Sequence, residues 1–274
     1  MINRNVTRTI LDGVETTAKT KSLTSAPLTC ALTTTTYLYL GFKQPFTTRY
    51  INLSVVNTNA CTLAVSYWDG AAWTAVEDLV DETNGFTQSG FISWLNFGQW
   101  DRKSQTPIIA VGSENETQLD LEYYWVRITT SANMSATTAV QSVTNLFCHD
   151  TLMATYYPEI LSDTRYLPSS RTDFMEQYQA AKDHVVRRMR QMGKITDEGD
   201  ILDIVDVSVA AVHATAYIIL NPIAKGSDEL RAAANDAYKA CEAELSRGTQ
   251  AVDTDKDGMI EPAEKFSGTI FLSR

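Results

Sequence analysis

Histidine is scarce, with three in 274 residues. His149 and His184 have no cysteine or second histidine at ligand spacing, and His213 lies on a strongly apolar segment, where it reads as a hydrogen-bonded core residue rather than a ligand. The four cysteines, Cys30, Cys61, Cys148 and Cys241, are far apart and form no CxxC pair, which excludes a zinc knuckle or a thioredoxin-type motif. Basic residues are outnumbered: 23 Lys and Arg stand against 33 Asp and Glu, a net charge of -10. That balance argues against a dedicated binder of naked nucleic acid and against an anionic membrane surface as partner. The opening MINRNVTRTILDGVETT has no apolar stretch followed by a small-residue cleavage site, so no secretory signal is expected and the cysteines read as reduced core thiols. The sequons at Asn5, Asn52, Asn115 and Asn133 then read as accidents of a Thr- and Asn-rich chain. There is no GxSxG, HExxH or GxGxxG, and Gly193-Lys194 lacks the upstream glycine and following Ser or Thr of a phosphate loop. The expectation is a protein that is not an enzyme, with no catalytic residues and no organic cofactor.

What is present changes character near residue 150. The length suits two domains, and each half is long enough to bury a core. In the first half, TTYLYLGF, RYINLSVV, CTLAVSYW, FISWLNF, YYWVRIT and TAVQSVTNLF are β-branched and aromatic runs separated by NTN, DG, NG and SGF turns. They predict an antiparallel, jelly-roll-like β-sandwich over residues 1–150. Asp69-Gly70 between Trp68 and Trp73 predicts a tight hairpin. The two tryptophans read as hydrophobic cover of the sheet ahead of a sugar-stacking platform, since no carboxylate pair, histidine or basic cluster accompanies them.

Residues 151–274 read as a small helical bundle. Phe174, Tyr178, Ala181, Val185, Met189 and Met192 recur at steps of three and four, one apolar face of a helix ended by Gly193. Residues 201–220 are apolar almost all round. Asp203 and Asp206 shorten the uncharged run and Asn221-Pro222 closes it, so a core helix is expected rather than a membrane span. Leu230, Ala234, Ala237, Cys241 and Leu245 form a third stripe, with Ser227 as N-cap and Gly248 as terminator. Arg187, Arg188, Arg190 and Lys194 make one basic cluster, read as a solvated helix face rather than a docking surface for an acidic partner.

One motif is specific. Residues 253–264, DTDKDGMIEPAE, match the twelve-residue EF-hand-like calcium loop: Asp253, Asp255, Asp257, Glu261 and Glu264 supply oxygens, Gly258 the sharp turn, Ile260 the apolar position, and Met259 a backbone carbonyl. A hard cation takes roughly six to eight such oxygens, and the last glutamate can close the shell with both of its own. The flanks depart from a regular EF-hand, because Gly248 breaks the incoming helix and only residues 262–265 could start an exit helix. With no second loop to pair with, a structural calcium ion pinning a bend is expected rather than a sensor.

In order, these parts are LMATYYPEILSDTRYLPSS, the apolar central helix, the DxDxDG loop and a strand-like tail GTIFLSR. This arrangement over 151–274 resembles the head-to-tail connector adaptor (neck) proteins of tailed bacteriophages. The first half, with YLYLGF, VSYWDGAAW, GFTQSGFISW and YYWVRI, is similar to a β-sandwich module of phage virion proteins. The resemblance implies a structural virion protein, made in the bacterial host cytoplasm and placed at the head–tail junction. It implies a homo-oligomeric ring, of about a dozen copies, beneath the portal protein and above a further neck or tail-terminator protein. DNA would pass through the channel without sequence-specific contact, no membrane would be involved, and the sandwich would face outward. The tail residues Ile270, Phe271, Leu272 and Arg274 would join a neighbouring subunit or the portal by strand pairing. Two other classes stay open: a calcium-dependent carbohydrate-binding protein using the Trp-rich sandwich, and a hydrolase whose carboxylates meet only in the fold.

Overall fold

The computed structural model of the chain describes residues 7–21, 23, 25–95, 100–104, 122–167, 173–201 and 204–247. They divide into two compact units, one up to Asn145 and one from Leu146 onward.

The first unit is built of β1 (Arg8–Leu11), β2 (Val14–Glu15), a one-turn helix α1 (Thr17–Thr20), β3 (Leu28–Thr29), β4 (Leu38–Phe42), β5 (Thr48–Val55), β6 (Leu63–Trp68), β7 (Trp73–Ala75), β8 (Glu77–Asp81), β9 (Gly90–Leu95), β10 (Arg102–Ser104), β11 (Glu122–Thr130) and β12 (Ala139–Thr144). They form two antiparallel sheets, ordered β2-β1-β4-β11-β6-β7 with β10 beside β11, and β3-β12-β5-β9-β8. Alternation explains the sandwich. Leu38, Leu40, Phe42, Val65, Tyr67, Val126 and Ile128 of one sheet and Ile51, Ile92, Trp94, Val140 and Val143 of the other share one buried core. All six expected strands are present. The hairpin β1–β2 was not expected, although its Asp12-Gly13 turn, with φ of 48° and 80°, carries the same signal as the one at Asp69. The Asp69 connection is a four-residue loop in which Asp69 N–H donates to the Ala72 carbonyl and Trp68 pairs with Trp73.

The second unit contains α2 (Asp150–Tyr156), α3 (Pro158–Ser162), α4 (Met175–Gln191), α5 (Val205–Ile223) and α6 (Asp228–Arg247), with short 3-10 turns at Thr164–Tyr166 and Glu198–Asp200. The predicted stripe of α4 is the buried one: Phe174, Tyr178, Ala181, Val185 and Met189 are at most 4 % exposed. Gly193, at φ 72°, lets Lys194 N–H reach the Met189 carbonyl and Gly193 N–H the Arg190 carbonyl, the paired bonds that close a helix. α5 packs against both α4 and α6. It is long and apolar enough to cross a membrane, yet Val207, Ala210, Ala211, Val212, Ala214 and Ala216 are buried inside the protein, as a core helix requires. It starts four residues later than the apolar run and carries Pro222 within its last turn, where only one backbone bond is forfeited. On α6, Ala234, Ala237, Cys241 and Leu245 are buried, and Ser227 Oγ accepts from Leu230 N–H at 3.3 Å as the N-cap.

Candidate functional site

The calcium-loop residues Asp253, Asp255, Asp257, Met259, Glu261 and Glu264 and the tail residues Ile270, Phe271, Leu272 and Arg274 lie outside the described residues. What the structure does place is the end of the helix that leads to them. The closing turn after α4 sets Lys194 against the last turn of α6, where its ammonium donates to the Leu245 carbonyl at 2.5 Å. A cation suits the negative end of a helix. Burial there lowers the Lys194 pKa from its ordinary value. One turn back, Arg188 makes a two-pronged ion pair with Glu242, through Nε at 2.7 Å and through Nη2, while its Nη1 donates to Gln191 at 2.6 Å. The Arg188 bond holds the Glu242 carboxyl below its ordinary pKa. The basic cluster therefore divides: Arg188 and Lys194 fasten α4 to the exit of α6, and Arg187 and Arg190 are exposed.

A second charged contact was not read from the sequence. Lys182, only 9 % exposed, donates to Glu198 at 3.1 Å and lies 3.3 Å from Asp183. Glu198 sits on a 3-10 turn capped by Asp197, and Asp200 accepts from the backbones of Thr196 and Asp197 and from the Thr196 hydroxyl. The four residues DEGD contain the capping signal, but nothing local shows that a lysine on the preceding helix meets it.

The three histidines separate into different roles. His149 is the N-cap position of α2. His213 lies with Nδ1 2.7 Å from the Tyr157 hydroxyl and its ring edge-on to Tyr156 and Tyr157, the hydrogen-bonded residue expected. His184 sits where α4, α5 and α6 meet, its ring 6.5 Å from Tyr217 and 6.2 Å from Tyr238. Burial pushes the thiols of Cys30, Cys148 and Cys241 up to about 12, the behaviour of core thiols rather than nucleophiles.

On the sandwich, the face of the larger sheet turned away from the shared core carries an aromatic cluster built on Ile10 and Trp125. Trp125 is fully buried and lies flat on Gly41, where a Cβ would meet its ring at 2.5 Å. Around it stand Tyr39, Trp73 and Tyr123, half-buried. Trp68 and Trp73 meet at 66°, Tyr39 and Trp73 at 55°, and the Arg127 guanidinium lies over Tyr37 at 4.8 Å and Trp73 at 5.0 Å. These rings are tilted to one another, and the Arg127 guanidinium lies over two of them. Asp69 is also committed: its carboxylate accepts from the Thr74 hydroxyl and from Ala72 and Ala71 N–H, which holds its pKa at about 2. Among the described residues no three His, Cys, Asp or Glu side chains converge to hold a metal ion.

No family model matches the chain, and no curated protein matches it.

Proposed function

We propose that this chain is a non-enzymatic structural subunit of a tailed-phage neck, a head-to-tail adaptor that assembles as a ring between portal and tail. One observation carries the reading more than any other: the last helix of the bundle is fastened at its exit by Lys194 on Leu245 and by Arg188 on Glu242. In sequence that exit runs directly into an acidic loop and then an apolar tail. A subunit that joins its neighbours through its C-terminus gains from a rigid point of departure, and from an ion that fixes the bend beyond it. The donor set Asp253, Asp255, Asp257, Glu261, Glu264 and the Met259 carbonyl is all oxygen, the chemistry calcium prefers. When bound, calcium would supply a structural crosslink and no reaction chemistry. A two-sheet sandwich ahead of such a bundle fits an outward-facing virion module of jelly-roll kind, and the net charge of -10 suits a channel wall that conducts DNA without gripping it.

Electron microscopy of the purified chain, alone and mixed with the portal protein of the same virion, tests the proposal. Closed rings of about a dozen copies, or a stoichiometric complex with portal, are expected. Monomers that neither self-associate nor bind portal contradict it.

A further inference from the structure

His184 is half-buried in a place that disfavours its charged form. Its Nε2 is shut off from solvent and has no hydrogen-bond partner among the described residues. A neutral imidazole can leave that atom as a bare nitrogen, at modest cost; a protonated one turns it into a charged donor with no acceptor, which is far more expensive. The groups facing it do not compensate. From its own helix come Arg187 and Arg188, both cationic, with Asp183 exposed and 3.3 Å from Lys182. From α5 comes Tyr217 and from α6 come Tyr238 and Glu242. Glu242 is the sole carboxylate among these α6 groups, and it is already held by Arg188 in a two-pronged pair.

We infer that the helical unit carries an acid-sensitive latch at His184: protonation drives the imidazole away from the contacting pair Tyr217 and Tyr238, whose rings lie 5.2 Å apart, and loosens α4 from α5 and α6. The step is a proton uptake from solvent and no bond beyond the N–H is made or broken. Because α4 also carries Arg188, loosening it withdraws one of the contacts that fasten the exit of α6. The device is independent of what the chain assembles with.

Burial, and then the neighbouring arginines, lower the pKa of His184 from its ordinary value. The sign follows: a group whose folded pKa is depressed contributes stability that is complete above the unfolded value of about 6.5 and is lost as pH falls toward the folded value. Burial lowers His213 as well, so it adds acid sensitivity of the same sign; it is the comparison because its Nδ1 has a partner in the Tyr157 hydroxyl, whereas His184 Nε2 has none among the described residues.

The test uses the full chain, its helix melting followed at about pH 7.5 and about pH 5.5. The wild type should lose helix stability on acidification, His184→Phe, which keeps a ring against the tyrosine pair, should lose most of that drop, and His213→Phe should retain the larger part of it. Since the chain has three histidines, ring-proton NMR of the wild type resolves each titration without any variant. His184 should titrate last, together with loss of helix signal. A His184 that titrates near its ordinary value in an intact bundle, or an acid response that disappears with His213→Phe and survives His184→Phe, overturns the inference.

Discussion

The two units use their arginines in opposite ways. In the sandwich, guanidinium groups lie on rings: Arg8 on Tyr123, Arg49 on Phe42 and Phe46, Arg102 on Tyr124, Arg127 on Tyr37 and Trp73. In the helical unit they lie on carboxylates, and the ion pairs between described residues all fall there, among them Lys182–Glu198, Arg188–Glu242 and Arg231–Asp228. The cores differ to match. The sandwich is filled by Trp94, Trp100, Phe46 and Tyr67, while the helices meet through Ala181, Ala211, Ala214, Ala234 and Ala237. Small side chains bring helix axes close, but each buries little apolar area, so charged contacts at the rim take a larger share of holding the bundle together. Ring contacts respond weakly to salt and pH; carboxylate pairs and a buried histidine respond to both. Among the described contacts, those that respond to salt and pH therefore fall mainly in the bundle.

All five tryptophans lie in the sandwich, so indole fluorescence reports that unit while the far-ultraviolet helix signal reports the other. The largest effect should come from Trp125→Ala, which empties a fully buried indole site and should cost the sandwich roughly 3–5 kcal/mol. The fluorescence transition should shift and the helix transition should not; a joint shift of similar size would dissolve the contrast. Next, Glu198→Ala leaves Lys182 buried opposite an apolar group, with Asp183 as its remaining close anion, and should cost the helices on the order of 3 kcal/mol. Calcium should come third: at about a hundredfold excess over its dissociation constant, a site present only in the folded state contributes about 2.7 kcal/mol. Its melting shift should appear in the helix signal and vanish in Asp253→Ala/Glu264→Ala. No calcium response in the wild type would remove the ion from the account. Arg188→Ala is the smallest, about 1 kcal/mol because the pair is partly exposed, and the loss should shrink in high salt as screening weakens the wild-type pair.

The sequence disclosed whatever is periodic. The stripe from Phe174 to Met189, the apolar run of α5 and the six long strands follow from spacings of 3.6 and 2, and the change of composition near residue 150 falls where β12 gives way to α2. It hid what depends on chain crossing. β8, Glu-Asp-Leu-Val-Asp, is an acidic edge strand with Asp78 at φ 46° and an irregular register against β9, features that erase the alternation by which a strand is recognised. Arg49 gives no local sign that it will be 1 % exposed; it is inward because its partners across the pair, Ile92 and its own neighbour Ile51, set the face. Of the candidate site, the loop and tail were legible as chemistry alone. The fastening of their point of departure by Arg188 and Lys194 was not, since it joins residues more than fifty positions apart.

The neck reading stands or falls on what the last seven residues do. Sedimentation velocity and electron microscopy of the chain with and without residues 268–274 measure it directly. Truncation should leave both unfolding transitions of the monomer nearly where they were and abolish ring formation and attachment to portal, because Ile270, Phe271 and Leu272 would bury themselves on a neighbour rather than on their own bundle. A truncated chain that assembles as the full one does, or that unfolds as a monomer, contradicts the account.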